Sequence, residues 1–183
     1  VYRAFDRKRG ARVALKVPHE HDAHALLRVK DEFRALASIS HPNIVTFYEL
    51  FVHDEAWFFT MQLVRGVDVL THTARSPETI REVLGGLAQG LEMLHANGII
   101  HRDIKPSNAW VEPSGTPILL DFGLALRATT SEQERPQAPA GTPPYFAPEL
   151  LDGHGPSASS DVYALGVLAC EMVTGERPFA SHG

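Results

Sequence analysis

The chain opens on a period-two alternation of apolar and polar residues. Val1-Tyr2-Arg3-Ala4-Phe5 alternates, residues 6–10 are charged and turn-like, and Arg12-Val13-Ala14-Leu15-Lys16-Val17 resumes the pattern, which predicts a β-hairpin. Within its second strand, Val13, Leu15 and Val17 fall on one face and Ala14 and Lys16 on the other. The period then changes: Leu26, Val29, Phe33, Leu36 and Ala37 recur at helical spacing and predict a helix over 25–38. Residues 44–50 and 56–63 read as two further strands joined across 52–55, so a small antiparallel sheet with one helix is expected over the first third of the chain.

The remaining two thirds read as mostly helical. Ser76 followed by Pro77 is an N-cap with proline at the first helical position. Ile80, Val83, Leu84, Leu87, Leu91 and Leu94 continue at spacings of three and four, and Gly98 stops the helix. Ile118-Leu119-Leu120 is strand-like. A last helix, opened by Ser159-Ser160-Asp161, is expected over 162–173 and closed by Gly175; its near-uniform apolarity predicts burial.

Composition narrows this picture. With 183 residues, 44% apolar and 21% charged, the chain suits one large globular domain or two small ones. Seventeen basic against 22 acidic residues give a net charge of −5, which argues against a nucleic-acid footprint. A single cysteine, Cys170, excludes an internal disulfide and fits a reducing, cytoplasmic setting; within its apolar run it reads as a buried thiol. No apolar run is long enough for a membrane helix and no signal peptide is visible. His19, His21 and His24 lack a Cys or carboxylate cluster to complete a metal site. Because the chain begins with Val1 inside a strand and stops soon after an apolar helix, a fragment cut at both ends is expected.

The chemistry concentrates in His101-Arg102-Asp103-Ile104-Lys105-Pro106-Ser107-Asn108, which places a carboxylate, an ammonium and an amide within six residues. Asp121-Phe122-Gly123 and then Gly141-Thr142-Pro143-Pro144-Tyr145-Phe146-Ala147-Pro148-Glu149 follow. Carboxylates, an amide and a cation beside apolar strands are what a site for Mg²⁺ and a polyphosphate needs. In this order the three stretches resemble the catalytic loop, the metal-binding turn and the Ala-Pro-Glu segment of eukaryotic-type serine/threonine protein kinases. Compact loops and Pro-Ser-Asn resemble the bacterial branch.

The resemblance covers nearly the whole chain and implies an α+β, two-lobed fold. Residues 1–63 would form a sheet lobe without the glycine-rich loop, which would precede residue 1; residues 64–183 would form a helical lobe without the late helices. It implies MgATP-dependent phosphate transfer to a protein Ser or Thr hydroxyl, including autophosphorylation. Asp103 would take or orient the hydroxyl proton and Lys105 would neutralise the moving phosphate. Asn108 and Asp121 would hold Mg²⁺. Lys16 would grip the ATP phosphates, with Glu32 as its partner in preference to Asp31. Val1, Ala14, the gatekeeper Met61, the backbone of Val64 and the side chain of Trp110 would surround the nucleotide. His101 would pack on Phe122, as would Leu36, while Gly123 completes the turn. Arg102 would receive a phosphate carried by Thr129, Thr130 or Ser131. Thr142 would link that segment to Asp103, Asp161 would brace the loop backbone, and Glu149 would pair with an arginine beyond this chain.

Two positions depart from the family pattern. Trp110 stands where an aliphatic residue usually underlies adenine; an indole stacks there or overfills the pocket. Gln62 stands where glutamate is frequent. Both leave room for an alternative, a pseudokinase scaffold or an inactive kinase fragment.

Overall fold

The computed structural model describes residues 1–17, 30, 33–53, 56–74, 76–121, 126–127 and 141–179. Its first turn is built by Asp6, whose carboxylate accepts from the Lys8 and Arg9 N–H groups at 2.8 and 3.0 Å. That turn joins β1 (Tyr2–Asp6) to β2 (Ala11–Lys16). With β3 (Phe47–His53) and β4 (Ala56–Gln62) they form an antiparallel sheet in the order β1-β2-β4-β3. Ala14 lies opposite Met61 and Lys16 opposite Phe59, so these four share one sheet face. Phe33, from the helical segment 33–37, packs on that face between Phe47 and Phe59, with ring centroids 5.9 and 5.8 Å away.

The third strand starts later than its apolar pattern suggests. Ile44 and Val45 are committed elsewhere: Val45 N–H donates to the Leu119 carbonyl at 3.1 Å, and Leu119 N–H donates to the Asn43 carbonyl at 2.9 Å. This parallel bridge joins the four-stranded sheet's approach segment to a second sheet. That sheet has the order β5 (Val67–Asp68), β7 (Ala109–Val111), β8 (Pro117–Leu119). A third pairing joins β6 (Ile99–Ile100) to β9 (Leu126–Arg127).

Besides the helical segment 33–37, the helices among the described residues are α1 (Val69–Thr73), α2 (Pro77–Ala96), α3 (Pro148–Leu151) and α4 (Ala158–Thr174). The Ser76 hydroxyl caps α2 as expected, and Gly98 follows its end with φ +69°. α2 packs on α4 and on β8, burying Leu87, Leu91 and Leu94 with Val167, Leu168 and Met172. One buried cluster runs from Ala14 and Met61 through Ile44 and Leu119 to these helices, so both sheets rest on a continuous core.

α4 corrects the sequence reading twice. It begins at Ala158, because Ser157 and Ser160 form a reciprocal capping box ahead of the apolar run. It is also buried on one side only: Val162 and Val173 are 58% and 59% exposed, and Cys170 is exposed rather than buried. Uniform apolarity has no period, so it cannot mark which side faces the core. No helix among the described residues is long and apolar enough to cross a membrane.

Candidate active site

The loop from His101 to Asn108 leaves β6 and enters β7 through a 3-10 turn at Pro106–Asn108. Its shape is imposed by Asp161, which is 1% exposed in the first turn of α4. The Asp161 carboxylate accepts from the backbone N–H groups of His101 and Arg102, each at 2.8 Å. His95 of α2 meets the same carboxylate through Nε2 at 2.9 Å. Arg102 is thereby held at φ +71°, a left-handed conformation costing about 1–3 kcal/mol for a residue with a side chain. Gly141 presses on this bend: an added Cβ would sit 2.6 Å from the Arg102 carbonyl oxygen, at a φ of +132°. Only glycine fits there.

His101 ties the loop to the strand that leads to Asp121. Its Nδ1 accepts from Asp103 N–H at 3.3 Å, which places the ring proton on Nε2, 3.1 Å from the Leu120 carbonyl. Full burial holds this imidazole below the ordinary histidine range, outweighing the opposite pull of Asp161, the Leu120 carbonyl, Asp103 and Asp121. A neutral histidine is therefore built into the loop as a structural link.

Three side chains close around Asp103. Thr142 Oγ1 donates to Asp103 Oδ1 at 2.7 Å and accepts from Lys105 Nζ at 2.8 Å. Lys105 Nζ also lies 2.6 Å from Asp103 Oδ2. Asn108 Nδ2 donates to the Asp103 carbonyl at 2.9 Å and to Oδ2 at 2.8 Å. These bonds fix the carboxylate while its side chain stays 10% exposed, open enough for a hydroxyl to approach.

The next residues in the cluster come from the strands. Leu120 N–H donates to the Asn108 carbonyl at 2.8 Å, setting Asp121 beside the loop. Asp121 has φ +55°, a second left-handed residue at the site, and its Oδ1 accepts from Lys16 Nζ of β2. Lys16 and Asp121 are 105 positions apart in sequence. The Lys16–Asp121 pair and the Asp103–Lys105–Asn108 group are thus joined through the backbone bond between Leu120 and Asn108.

The donor set suits a hard cation shared with phosphate. Asn108 spends its amide nitrogen on Asp103, which leaves its side-chain oxygen, like the carboxylate of Asp121, as a hard oxygen donor. No group of three His, Cys, Asp or Glu gathers among the described residues. Mg²⁺ is commonly held by one or two protein oxygens with the remainder from water and phosphate, so a two-residue site fits it.

The protein kinase domain family matches residues 1–183, the entire chain. The chain belongs to the protein kinase family. This protein kinase domain is 36% identical to the serine/threonine-protein kinase PknA of Mycobacterium tuberculosis, over 100% of this chain and 45% of that protein. It is 38% identical to the DNA damage-responsive serine/threonine-protein kinase RqkA of Deinococcus radiodurans, over 98% of this chain and 28% of that protein. It is 35% identical to the probable serine/threonine-protein kinase pknA2 of Bifidobacterium longum, over 99% of this chain and 25% of that protein. The chain therefore spans a quarter to under half the length of these bacterial relatives.

Within the kinase domain, the structure pairs Lys16 with Asp121, groups Lys105, Asn108 and Thr142 around Asp103, and sets Asp161 on the backbone of His101 and Arg102. Ala14 and Met61 are buried side by side on the same sheet face as Lys16, Val64 is half-buried, and Val1 is 73% exposed at the sheet margin. Glu149 sits in the first turn of α3, where its carbonyl accepts from His154 N–H at 2.9 Å. Glu32, Phe122, Gly123, Thr129, Thr130 and Ser131 lie outside the described residues. Three contacts escaped the sequence reading: His95 on Asp161, Gln62 on Glu112, and Tyr145 on Glu171 at 2.5 Å. Burial and the Glu171 carboxylate push the Tyr145 phenol well above its usual range, so it stays protonated and pins the 3-10 turn Pro143–Tyr145 to α4. Each of these partners lies at least 26 residues away, beyond any local motif.

Proposed function

We propose that the protein is a serine/threonine protein kinase that transfers the γ-phosphate of ATP, with Mg²⁺, to a protein hydroxyl. Residues 1–63 and 64–183 are the two walls of its nucleotide cleft. The observation that carries this reading is the bridge made by Lys105 between Asp103 and Thr142, with Asn108 on the same carboxylate. It aims a base and a cation at one point, which is what a hydroxyl attacking a phosphate requires.

In this reading Asp103 receives or orients the hydroxyl proton, and Lys105 and Lys16 offset charge on the phosphates. Asn108 and Asp121 hold Mg²⁺, which neutralises phosphate charge when bound. Glu32 partners Lys16, and Ala14, Met61, Val64 and Val1 border the nucleotide. Arg102 is the receiver for a phosphate on Thr129, Thr130 or Ser131, placed there by autophosphorylation; Phe122 and Gly123 complete the turn after Asp121. The substrates are proteins, and the reducing setting implied by a lone cysteine is cytoplasmic. Transfer of labelled phosphate by the full-length protein, with Asp103→Asn as control, tests the assignment; a full-length protein that binds MgATP but transfers nothing would favour a scaffold.

Trp110 is assigned to the adenine. Its β7 neighbours Ala109 and Val111 are 0% and 1% exposed in the core, so the indole between them projects from the opposite face. Its Nε1–H donates to the Ser107 carbonyl at 3.1 Å, which fixes the ring as a platform. Stacking on such a ring adds about 0.5–1.5 kcal/mol beyond buried area, so Trp110→Leu should weaken ATP binding by about twofold to twelvefold. Unchanged affinity in a calorimetric titration would remove Trp110 from the site.

A further inference from the structure

The segment between β4 and β5, residues 63–66, is flanked at both ends by contacts to the end of β7, at Val111 and Glu112. At its far end Gly66 lies so close to β7 that an added Cβ would fall 2.0 Å from the Val111 carbonyl oxygen and 3.2 Å from Glu112 Cα. Val67 then pairs with Val111. At its near end a side chain makes the connection: Gln62 Nε2 donates to Glu112 Oε1 at 3.2 Å.

Both partners are firmly held. Gln62 N–H donates to the Thr46 carbonyl at 2.8 Å, and Gln62 Oε1 accepts from Thr46 N–H at 3.4 Å. Glu112 N–H donates to the Thr116 carbonyl at 3.0 Å, and the Glu112 carbonyl accepts from Gly115 N–H at 2.8 Å, which closes the β7–β8 turn. Gln62 and Glu112 are each half-buried and 50 positions apart. A carboxamide is required at position 62: it accepts from Thr46 with its oxygen and donates to Glu112 with its nitrogen. A glutamate there would still accept from Thr46, but would set one carboxylate against another at hydrogen-bond distance.

We propose that the Gln62–Glu112 hydrogen bond is a clasp between the two sheets that holds residues 63–65 at the spacing a nucleotide needs, making both side chains positioning residues for ATP. The inference rests on the reading that the backbone around Val64 meets the adenine. Adenine is read there by N–H and C=O groups, whose alignment with the ring edge degrades with small displacements. Opening the clasp unties the β4 end of the segment from Glu112, while its Gly66 end stays packed against Val111. Asp103, Lys105 and Asn108 are untouched, so the loss falls on nucleotide affinity.

The test is a four-variant cycle: wild type, Gln62→Glu, Glu112→Gln and the double variant, each titrated with MgATP and each followed by amide hydrogen exchange at residues 63–65. Gln62→Glu is expected to weaken MgATP binding by about tenfold and to speed exchange at 63–65. Glu112→Gln keeps a donor–acceptor pair and should stay within about twofold of wild type. The double variant restores a complementary pair with donor and acceptor exchanged, and should regain wild-type affinity and exchange. An unaltered Gln62→Glu, or a defect that Glu112→Gln does not rescue, overturns the proposal. If wild type itself does not bind MgATP, the nucleotide reading has failed, and the exchange rates alone still decide whether the clasp exists.

Discussion

Asp103→Asn should lower phosphate transfer to a protein hydroxyl by about 10²–10⁴-fold while leaving MgATP affinity within a few-fold of wild type. The substitution keeps the size of the side chain and its Oδ1 acceptor for Thr142, but replaces the oxygen that faces Lys105 and Asn108 with an NH₂ group. Three donors would then converge where an acceptor is needed, and the group that takes the hydroxyl proton would be gone. The deficit should appear in kcat, since Lys16 and Asp121, the groups proposed to meet the phosphates and metal, keep their contact. Thr142→Ala is the informative companion: it removes the bridge to Lys105 but leaves the carboxylate, and so should lose less. Full transfer by Asp103→Asn in a single-turnover assay would remove Asp103 as the base.

The second large effect belongs to Asp161. Asp161→Ala should destabilise the domain by about 3–5 kcal/mol, because it strips the acceptor from the buried His101 N–H, the part-buried Arg102 N–H and His95 at once. The left-handed Arg102 conformation then loses the contact that offsets its strain. Urea unfolding reads this directly, as a lowered midpoint with an unchanged slope. Asp161→Asn retains one oxygen acceptor and should fall between wild type and Asp161→Ala. A loss under about 1 kcal/mol for Asp161→Ala would mean that the loop is held by His101 and Gly141 instead.

The active-site loop was legible in the sequence because its chemistry is local. Asp103, Lys105 and Asn108 fall within six residues, and their mutual contacts follow from one turn. The hairpin, the capped α2 and the Gly175 terminus were legible for the same reason: an Asp, a Ser and a Gly each act on backbone within a few residues. What the sequence hid is long-range. Ile44 and Val45 look like strand residues of the first sheet, yet their partner is Leu119, chosen by the packing of two sheets. The helix α4 reads as buried all round, yet which side meets α2 is settled only by tertiary contact, so Cys170 and Val173 ended outside. Gln62 looked like a departure from a family preference for glutamate; beside Glu112 an amide is the side chain that fits. No local pattern announces that Arg102 or Asp121 adopts positive φ, since both depend on partners supplied from elsewhere in the fold.

Lys16 on β2 and Asp121, which accepts its ammonium, are proposed to face a single crevice shaped for magnesium-bound ATP. Thermal unfolding with increasing MgATP measures it most directly. A saturable stabilisation is expected, reaching about 2.7 kcal/mol at a hundredfold excess over the dissociation constant. It should vanish when EDTA removes the metal, and should be lost in both Lys16→Ala and Asp121→Asn. No stabilisation by MgATP, or one that is identical in wild type and in these two variants, would contradict the account.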